Sequence, residues 1–546
     1  MTIPKTIQLD PRDNVLVALA DLPGGERVVH SGETYTLKAS IPAKHKFAMK
    51  DFPVGSEIVM YGVIVGRARE PIAMGGLLTT QNVAHDAAGF QARNAAYAWT
   101  APDITPWAGR TFNGYHRPDG QVGTRNYWLV IPLVFCENRN VDTLREAFEE
   151  ELGYGKPKLY RQQVRELLEE YRGAGSEGQS AQKEASQSPA RIFPNVDGIK
   201  FLLHQGGCGG TRDDSRALCG LLAGYIHHPN VAGATVLSLG CQNAQVSDLL
   251  EELKLREPSR SKPVLIFDQQ KSGLESTMLS NAIRETFQGL IEANKIERKP
   301  APLSKLTIGL KCGGSDGFSG ISANPAIGRV SDMIAALGGK SLLSEFPELC
   351  GVEQSLINRC ANDTSSDRFI QLMRSYAARA KAVHSGFEMN PSPGNIRDGL
   401  LTDAMKSAGA ARKGGTSPVN DVLDYPEYVR TPGLSLQCTP GNDVECVTAQ
   451  VGAGANIVLF TTGLGTPTGN PITPVLKLAT NTKLAQRMSD IIDIDTGPII
   501  EGQNTIESMA DAILELIISV ADGTTHTKAE SLRQDDFIPW KRGVSL

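Results

Sequence analysis

Four short apolar segments of this chain each end in a polar loop that carries a cysteine. The segments lie at 127–135, 199–203, 234–239 and 306–310, and the cysteines are Cys136, Cys208, Cys241 and Cys312. Apolar runs of this length, bounded by glycine-containing loops, are typical of buried strands. In a mainly parallel sheet the carboxyl ends of the strands lie on one side. We therefore expect the four cysteines to converge at one edge of a sheet.

The longest of these loops, KCGGSDGFSGISANP at 311–325, is the strongest candidate for a functional site. It places cysteine, serine, aspartate and asparagine side chains between four glycines. A simple chain reversal needs neither this length nor so many polar groups, whereas α/β enzymes build their sites in loops at strand ends. Lys311, Ser315 and Asp316 are therefore candidate catalytic residues, and Asn324 is a candidate substrate contact.

Strands that alternate with helical segments predict an α/β fold with mainly parallel sheets, here preceded by a small β-rich domain. The predicted divisions are a β-rich domain at 1–86, a linker at 87–113, an α/β domain at 114–304 and a C-terminal α/β catalytic domain at 305–546. A flexible insertion is predicted near 155–192, because residues 173–188 are of low complexity. An amphipathic helix is predicted from about Thr505 to Ala521.

Composition argues against several classes of protein. The 546 residues carry 55 basic and 60 acidic side chains, a net charge of −5, which gives no reason to expect nucleic acid or a membrane as a partner. The chain lacks an apolar run of spanning length and an N-terminal signal core, so we expect a cytoplasmic protein. The nine cysteines fit free or metal-bound thiols better than a disulfide framework. A small-molecule ligand is expected, and a homo-oligomer is compatible with this size.

The strand-end cysteines lead to competing interpretations. Thiolates suit iron–sulfur clusters, and a cluster held by three cysteines leaves one iron open as a Lewis acid. Alternatively, the cysteines are small buried residues at tight strand ends, since no CxxC spacing supports a cluster. A hard-metal site is the third interpretation, with Asp213, Asp214, Asp316, Asn324 and His204 as candidate ligands.

Polar residues next to other strands are candidates for the reaction itself. His204 directly follows a strand and is the preferred acid or base. Arg125 precedes a strand with Asn126 beside it, so its guanidinium is either a clamp for a substrate carboxylate or an anchor for a turn. Thr462, in a strand-end loop, and Asn395, in the rigid NPSPGN loop, are further candidate substrate contacts.

Other recognised patterns are missing or weak. The sequence contains no phosphate-binding loop, dinucleotide fingerprint or nucleophile elbow, so we expect no nucleotide cofactor. The HHPN run at 227–230 offers a ligand or a base, but we favour a polar loop at a helix end.

Several long motifs resemble the altronate/galactarate dehydratase family. They are GYHRPDGQVGTRNYW from residue 114, HQGGCGG from 204, CGGSDGFSGISANPAIGRVSD from 312, EFPELCGVEQ from 345, NPSPGN from 390 and FTTGLGTPTGNPITPVLKLATN from 460. The resemblance covers essentially residues 10–546 and is closer to the altronate branch. It implies an SAF-like N-terminal domain and the metal-dependent dehydration of a hexonate or hexarate to a 2-keto-3-deoxy sugar acid, usually with ferrous iron.

The chain departs from the family pattern at three places. Residues 79–82 read TTQN where the altronate branch has HxHN, Leu464 replaces the arginine of the GRGTP loop, and Ile396-Arg397 follows NPSPGN where a lysine is common. These changes leave open a related carbon–oxygen or carbon–sulfur lyase, or an epimerase, on a different hydroxy acid. A non-catalytic sugar-acid-binding protein is a further alternative, against which the complete CGGSDGFSG and GTRN motifs argue.

The dehydration that the resemblance implies gives the candidate residues roles. Removal of the proton next to a carboxylate requires stabilisation of an enediolate, which a metal chelated by the carboxylate and the C2 hydroxyl supplies. The hypothesis assigns Fe²⁺ or an iron–sulfur cluster, with Mn²⁺ or Mg²⁺ as alternatives, to all or a subset of Cys136, Cys208, Cys241 and Cys312. His204, or failing it Lys311, is the acid or base, and Arg125 is the carboxylate clamp.

Overall fold

The computed structural model describes residues 4–155, 159–172, 191–259 and 261–545. The low-complexity segment 173–188, on which the prediction of a flexible insertion rests, lies outside the described residues. Among the described residues, no helix has both the length and the apolar character needed to cross a membrane.

Short antiparallel strands build the N-terminal domain. They are β1 (Thr6–Ile7), β2 (Val15–Ala18), β3 (Arg27–His30), β4 (Glu33–Thr36), β5 (Lys46–Ala48), β6 (Glu57–Met60), β7 (Val63–Ala68) and β8 (Val83–Ala84). They pair in the orders β1-β2-β5, β3-β4 and β6-β7-β8. A tight turn joins β6 to β7 through Gly62, whose positive φ of 73° suits glycine. The predicted β-rich domain is confirmed.

The next domain contains a four-stranded parallel sheet in the order β12-β11-β13-β14 and a small antiparallel sheet, β10-β9-β15. Its strands are β9 (Thr111–His116), β10 (Val122–Gly123), β11 (Tyr127–Pro132), β12 (Gly198–Phe201), β13 (Val231–Ser238), β14 (Val264–Asp268) and β15 (Arg298–Pro302). Its helices are α1 (Asn138–Glu149), α2 (Leu159–Tyr171), α3 (Arg212–His227), α4 (Val246–Arg256), α5 (Gln269–Ser272) and α6 (Glu275–Ala293). Strands β11 and β13 are buried at every residue, which explains their continuous apolar sequences.

The C-terminal domain is built on a seven-stranded parallel sheet in the order β18-β19-β17-β16-β20-β21-β22. The strands are β16 (Thr307–Cys312), β17 (Lys340–Leu343), β18 (Val419–Leu423), β19 (Gly433–Gln437), β20 (Ile457–Thr462), β21 (Val475–Ala479) and β22 (Ile494–Asp495). The helices are α7 (Ala323–Ala336), α8 (Glu353–Arg359), α9 (Asp363–Ala382), α10 (Pro393–Arg397), α11 (Asp403–Ala410), α12 (Asp443–Gly452), α13 (Thr482–Arg487), α14 (Ile506–Ala521) and α15 (Lys528–Ser531). The predicted α/β class with parallel sheets is confirmed.

The HHPN run joins the two α/β domains. His228 and Asn230 are fully buried, the His228 Nε2 lies 2.9 Å from the Ala455 carbonyl, and the Asn230 amide donates to the Ile472 carbonyl at 2.8 Å. Nearby, α3 and α12 touch through their backbones, because a Cβ on Gly224 would lie 2.0 Å from the Gly452 carbonyl oxygen. The run thus follows the end of α3, as predicted, but it is buried and fixes the position of the two sheets.

The N-terminal domain docks against the loop that precedes α11. The Lys46 ammonium, which is fully buried, donates to the Gly399 carbonyl at 2.7 Å. Lys44 forms ion pairs with Asp398 at 2.7 Å and with Asp316 at 3.0 Å. The N-terminal domain therefore contributes a cation to the base of the loop 311–325.

Candidate active site

The carboxyl edge of the seven-stranded sheet brings together loops from four neighbouring strands. Cys312 ends β16, Glu345 and Glu348 follow β17, Asp443 follows β19, and Thr462 ends β20. Glu345 is held at a φ of 68°, which is uncommon outside glycine and marks a constrained backbone. The loops border a cavity of about 720 Å³, which we call the Cys312 cavity.

A buried network of lysines and carboxylates lies under this cavity. Lys311 pairs with Glu345 and, at 3.0 Å, with Asp443. Lys413 pairs with Glu345 at 2.6 Å and lies 2.7 Å from the Cys312 sulfur. Lys406 pairs with Glu348 at 2.8 Å. Three lysines therefore face three carboxylates under the cavity.

Burial and charge set the protonation of this network. Burial raises the pKa of the Cys312 thiol to about 12, so the sulfur keeps its proton, which it donates to Glu348. Burial alone would raise the pKa of Glu348, but Lys406 and Lys311 outweigh it and lower that pKa to about 2. The resting site thus holds an ionised glutamate beside cationic lysines and a neutral thiol.

Several of these groups face the Cys312 cavity. The cavity is lined by Cys312, Ser315, Glu348, Asn390, Asn395 and Lys406, among others. Lys406 also donates to the Asn390 amide oxygen at 2.6 Å, which holds both side chains at the cavity wall. Such a mixture of one cation with amides and a hydroxyl is suited to a carboxylate that carries several hydroxyl groups.

Besides Cys312, the structure places two predicted residues, Ser315 and Asn395, in this cavity wall. The Ser315 hydroxyl is buried without a hydrogen-bond partner, so it is available to a ligand. Ser392 caps α10, the Asn395 side-chain oxygen accepts from the Ser392 N–H in return, and the Asn395 amide donates to the Ser315 carbonyl at 2.7 Å. Asn395 therefore positions the loop that carries Ser315.

Other predicted residues of the same domain have structural partners. Asp316 is fully buried and accepts hydrogen bonds from Thr480 at 3.0 Å and Ser319 at 3.0 Å in addition to its ion pair with Lys44. Asn324 bonds the Gly409 carbonyl and the Thr461 hydroxyl. The Thr462 hydroxyl accepts from the Gly465 N–H at 2.9 Å. These side chains shape the loops, and none of the three lines the cavity.

His204 is not the free acid or base that the sequence suggested. Its Nε2 lies 2.7 Å from the Pro132 carbonyl, and its Nδ1 accepts from the Gly206 N–H at 3.1 Å, so both ring nitrogens are bonded to backbone. Burial lowers the pKa of the His204 imidazole to about 4. His204 is a neutral residue that ties the loops after β11 and β12 together.

Arg125 is not a free carboxylate clamp either. Its guanidinium forms a buried, two-point ion pair with Glu530, at 2.6 and 3.0 Å, and donates to the Thr124 and Val520 carbonyls. This matches the alternative interpretation, an arginine that anchors a turn.

Asn126 is likewise engaged within the protein. It bonds Arg117, and its amide donates to the carbonyls of Asn195 and Ala293. Neither Arg125 nor Asn126 lines the Cys312 cavity.

The four strand-end cysteines do not share one sheet, which corrects the expected convergence. Cys136, Cys208 and Cys241 are exposed and follow β11, β12 and β13 of the four-stranded sheet, whereas Cys312 is buried in the seven-stranded sheet. Backbone hydrogen bonds connect the first three loops, from the Phe135 N–H to the Gly206 carbonyl and from the Ala244 N–H to the Gly207 carbonyl, both at 3.0 Å. We call Cys136, Cys208 and Cys241 the three-cysteine edge.

Two glycines fix the shape of the three-cysteine edge. Gly207 and Gly240 directly precede Cys208 and Cys241 and have φ values of 96° and 118°. A Cβ at Gly207 would lie 2.3 Å from the Leu133 carbonyl oxygen, so a larger residue is excluded there. The same turn is therefore built twice, each time presenting a thiol at the surface.

The two regions differ in how well they fit iron, the metal that the motif resemblance implies. Donor atoms of Cys312, Glu345 and Glu348 lie within 4.8 Å of one another, but lysines already neutralise the carboxylates and the thiol keeps its proton, so a cation does not fit there. The three-cysteine edge offers exposed soft donors, which fit iron–sulfur chemistry.

The candidate hard-metal site is not assembled. Asp214 accepts from Thr211 and from the backbone of Arg542 and Gly543, while Asp316 and Asn324 belong to the other domain. Within the part of the chain that the structure describes, no grouping of three or more close His, Cys, Asp and Glu donor atoms contains any two of Asp213, Asp214, Asp316 and His204.

Sequence reasoning missed the residues that dominate the Cys312 cavity: Glu345, Glu348, Lys406, Lys413 and Asp443. Glu345 and Glu348 lie in the EFPELCG segment just after β17, so a strand-end signal was available for them. Lys406 lies on α11 and Lys413 just after it, far from any strand end, and only the folded chain brings them under β16.

Comparisons with known proteins match the whole chain. Residues 4–86 match the altronate/galactarate dehydratase SAF domain, 114–294 the second domain of D-galactarate dehydratase/altronate hydrolase, and 303–545 the C-terminal domain of D-galactarate/altronate dehydratase. Altronate dehydratases of Bacillus subtilis (strain 168) and Escherichia coli (strain K12) are 34% and 33% identical over 99% of both chains.

A more distant relative has a different name. The (2R)-sulfolactate sulfo-lyase subunit beta of Chromohalobacter salexigens is 29% identical over 79% of this chain and 97% of its own length. The three domain matches and the two full-length relatives are decisive. The chain belongs to the altronate/galactarate dehydratase family and is a hydro-lyase.

Proposed function

We propose that this protein dehydrates a sugar acid, an altronate-like hexonate, to a 2-keto-3-deoxy sugar acid in the Cys312 cavity. One observation carries the proposal: the cavity of about 720 Å³ is lined by an ionised glutamate, a cationic lysine and an unpaired serine hydroxyl. The names of the full-length relatives supply the substrate class.

The cavity provides contacts for the carboxylate and for the hydroxyl groups of such a substrate. Lys406 is the lining cation, so it receives the substrate carboxylate. Ser315 and Asn390 offer a hydroxyl and an amide to the carbinol hydroxyl groups. Bound in this way, the C2 and C3 atoms lie over the floor formed by Cys312 and Glu348.

Substrate binding activates Glu348 as the base. A carboxylate on Lys406 competes with the ion pair that holds the pKa of Glu348 low, so that pKa rises on binding. Glu348 then removes the C2 proton, and the cationic lysines stabilise the enediolate that forms. The protonated Glu348 returns the proton to the departing C3 hydroxyl, water leaves, and the enol tautomerises to the 2-keto acid.

Iron is proposed as the cofactor of the three-cysteine edge; the alternatives Mn²⁺ and Mg²⁺ prefer oxygen ligands and would need another site. Bound at the three-cysteine edge, iron would supply Lewis-acid polarisation of a substrate hydroxyl. Two aromatic rings in contact lie between the edge and the Cys312 cavity: Trp540 lines the cavity beside Cys208, and Tyr376, whose ring centroid lies 5.4 Å from that of Trp540, lines the Cys312 cavity.

The test is an assay for 2-keto acid on a panel of hexonates and hexarates, with protein purified without oxygen and supplied with Fe²⁺. Keto acid from a hexonate, at a rate that Glu348→Gln abolishes and Glu388→Gln preserves, is the expected result. Deuterium exchange at C2 without any keto acid would identify an epimerase and overturn the proposal.

A carbon–sulfur lyase is the second candidate, favoured by one residue. Leu464 packs against Gly394 and against Gly314, which lines the Cys312 cavity, with an atom 3.4 Å from where a Cβ on either glycine would lie. An apolar side chain there reduces the hydrogen bonding available to a distal hydroxyl, and a relative is named a sulfolactate sulfo-lyase. Release of sulfite from a sulfonated hydroxy acid, measured in the same preparations, would establish this second activity.

A further inference from the structure

A separate cluster of ligand-type side chains lies at the end of α3, in the domain that contains the four-stranded sheet. The Nδ1 atom of His227 lies 3.7 Å from an oxygen of Asp119 and 3.7 Å from an oxygen of Glu257. The three side chains are 8%, 11% and 10% exposed, respectively. Both distances are too long for a hydrogen bond, and this buried nitrogen has no hydrogen-bond partner.

We propose that Asp119, His227 and Glu257 bind a divalent first-row transition metal such as Zn²⁺. Bonds of about 2.0–2.2 Å from one ion to nitrogen and oxygen ligands place neighbouring donor atoms about 3–4 Å apart. The observed separations fit that value, and all three donor atoms lie within 4.8 Å of one another. One imidazole and two carboxylates form a donor set that suits zinc, manganese or ferrous iron.

Each carboxylate is oriented by a hydrogen bond to its other oxygen. Asp119 Oδ1 accepts from the Gln121 N–H at 3.0 Å, and Oδ2, which faces His227, accepts from the Gln121 side-chain amide at 2.7 Å. Glu257 Oε1 accepts from the Ser259 hydroxyl at 2.9 Å and from the Ser261 N–H at 3.0 Å, while Oε2 faces His227. Fixed carboxylates that present a second oxygen to a common point are typical of a prepared metal site.

The far side of the imidazole also has the partner that a metal ligand needs. The Gln121 side-chain amide lies 3.1 Å from His227 Nε2, and its oxygen accepts from the Tyr428 hydroxyl at 2.6 Å. When a metal displaces the proton from Nδ1, Nε2 carries a hydrogen, and a half-turn of the Gln121 amide places its oxygen to accept it. The same half-turn breaks the 2.7 Å bond from the amide nitrogen to Asp119 Oδ2 and so releases that oxygen for the metal. The Tyr428 hydroxyl then accepts from the amide nitrogen.

The charges at the cluster are those of a ligand set. Burial alone would raise the pKa of both carboxyls, but hydrogen bonds from Gln121 and Ser261 lower the pKa of Asp119 and Glu257, respectively, so both are ionised. Burial lowers the pKa of His227 to about 4 and keeps it neutral. The nearby Lys262 ammonium donates to the carbonyls of His227 and His228, at 2.7 and 2.6 Å.

A metal here would have a structural role. Asp119 lies in the turn between β9 and β10, His227 ends α3, and Glu257 follows α4. One ion would therefore connect three segments of the chain beside a cavity of about 400 Å³ that His227 and Glu257 line. The site is distinct from the Cys312 cavity and from the three-cysteine edge, and it does not depend on the proposed reaction.

The experiment is a calorimetric titration of zinc chloride into the full-length protein after treatment with a chelator. The protein carries Cys136→Ser, Cys208→Ser and Cys241→Ser, because these exposed thiols would compete for zinc. We expect one zinc ion per chain, with affinity reduced at least 10-fold by His227→Ala and by Glu257→Gln, and unchanged by His116→Ala, at an exposed histidine. Glu257→Gln keeps the shape of the side chain and decides the question if His227→Ala does not fold.

X-ray absorption at the zinc edge supplies the second readout. Nitrogen and oxygen neighbours at about 2.0–2.2 Å are expected, whereas sulfur neighbours at about 2.3 Å would place the ion on a cysteine. Three results would each overturn the proposal: absence of zinc binding, sulfur neighbours, or a zinc affinity in the His227→Ala and Glu257→Gln proteins equal to that of the protein without these substitutions.

Discussion

The two parallel sheets of this molecule each carry cysteine at the carboxyl edge, but they use it in opposite ways. At the seven-stranded sheet, Cys312 is buried and surrounded by paired lysines and glutamates. At the four-stranded sheet, Cys136, Cys208 and Cys241 are exposed on glycine-containing loops. The same sequence signal, a cysteine after an apolar strand, therefore marks two different chemical environments.

The difference shows what decides the chemistry of a thiol. Burial keeps Cys312 protonated even with Lys413 2.7 Å from its sulfur, so the buried edge is suited to holding a substrate against charged groups. The three-cysteine edge is open to solvent and has soft donors that a metal can deprotonate. We infer that acid–base chemistry belongs to the first edge and metal binding to the second.

Glu348→Gln is expected to have the largest effect, because it removes the proposed base while it preserves the size of the side chain. We expect kcat/KM for keto-acid formation to fall at least 1000-fold, about 4 kcal/mol of transition-state stabilisation. Glu388→Gln, in the segment Phe387–Met389 beside the cavity, is the matched control and should remain within about 2-fold of the wild type. Retention of activity in Glu348→Gln would show that Glu348 is not the base and would contradict the assignment of acid–base chemistry to the buried edge.

His204 provides a test at the exposed edge. Its pKa is lowered to about 4 in the folded protein against 6.5 in the unfolded chain, so the unfolded state binds the extra proton first as the pH falls. His204 should therefore lower the free energy of unfolding by up to about 3 kcal/mol as the pH falls from 6.5 to 4. In denaturant unfolding, the free energy of unfolding of His204→Gln should fall less over this pH range than that of the wild type, by the same amount.

Two further results complete this test. His116→Gln, at an exposed histidine, should leave the wild-type pH dependence unchanged. An equal loss of stability with acidification in His204→Gln and in the wild type would contradict the structural role given to His204.

The sequence could predict what depends on local pattern. The parallel strands, the β-rich domain and the amphipathic helix near the end of the chain are confirmed. The start of that helix, α14, could be predicted because the polar Thr505 directly precedes its apolar residues and caps it. Sheet membership could not be predicted, since nothing local distinguishes the strand before Cys312 from the strands before the other three cysteines. Lys406 and Lys413 were missed for the same reason: their position under β16 depends on how α11 packs.

The roles of individual polar residues were the least predictable part. Arg125 and His204 have the residue types and strand-end positions of functional groups, and both bond to structural partners instead. A side chain beside a strand end is available for chemistry only if the folded protein leaves its polar atoms unpaired, as with the Ser315 hydroxyl. Which polar atoms remain unpaired can be determined only from the tertiary contacts.

Cys208→Ser separates the two edges directly. If metal binding belongs to the three-cysteine edge, this variant should lose its bound iron and at least 100-fold in kcat, about 2.7 kcal/mol. Cys312→Ser should keep the iron of the wild type whatever its activity. Iron and acid-labile sulfide analysis of protein purified without oxygen makes the measurement, and loss of iron from Cys312→Ser alone would reverse the assignment.

Leu464→Arg should have the smallest effect and tests the specificity of the buried edge. Leu464 packs against Gly314, which lines the Cys312 cavity, and in the proposed binding mode a longer guanidinium side chain at this position would reach the end of the substrate far from Lys406. An aldarate has a second carboxylate at that end, and a charge-assisted hydrogen bond to it is worth about 1.5 kcal/mol. We therefore expect Leu464→Arg to raise kcat/KM for hexarates roughly 10-fold relative to kcat/KM for hexonates. Leu464→Met, which keeps the wall apolar, is the control. An equal change of kcat/KM for hexonates and hexarates in Leu464→Arg would show that Leu464 does not contact the distal end of the substrate.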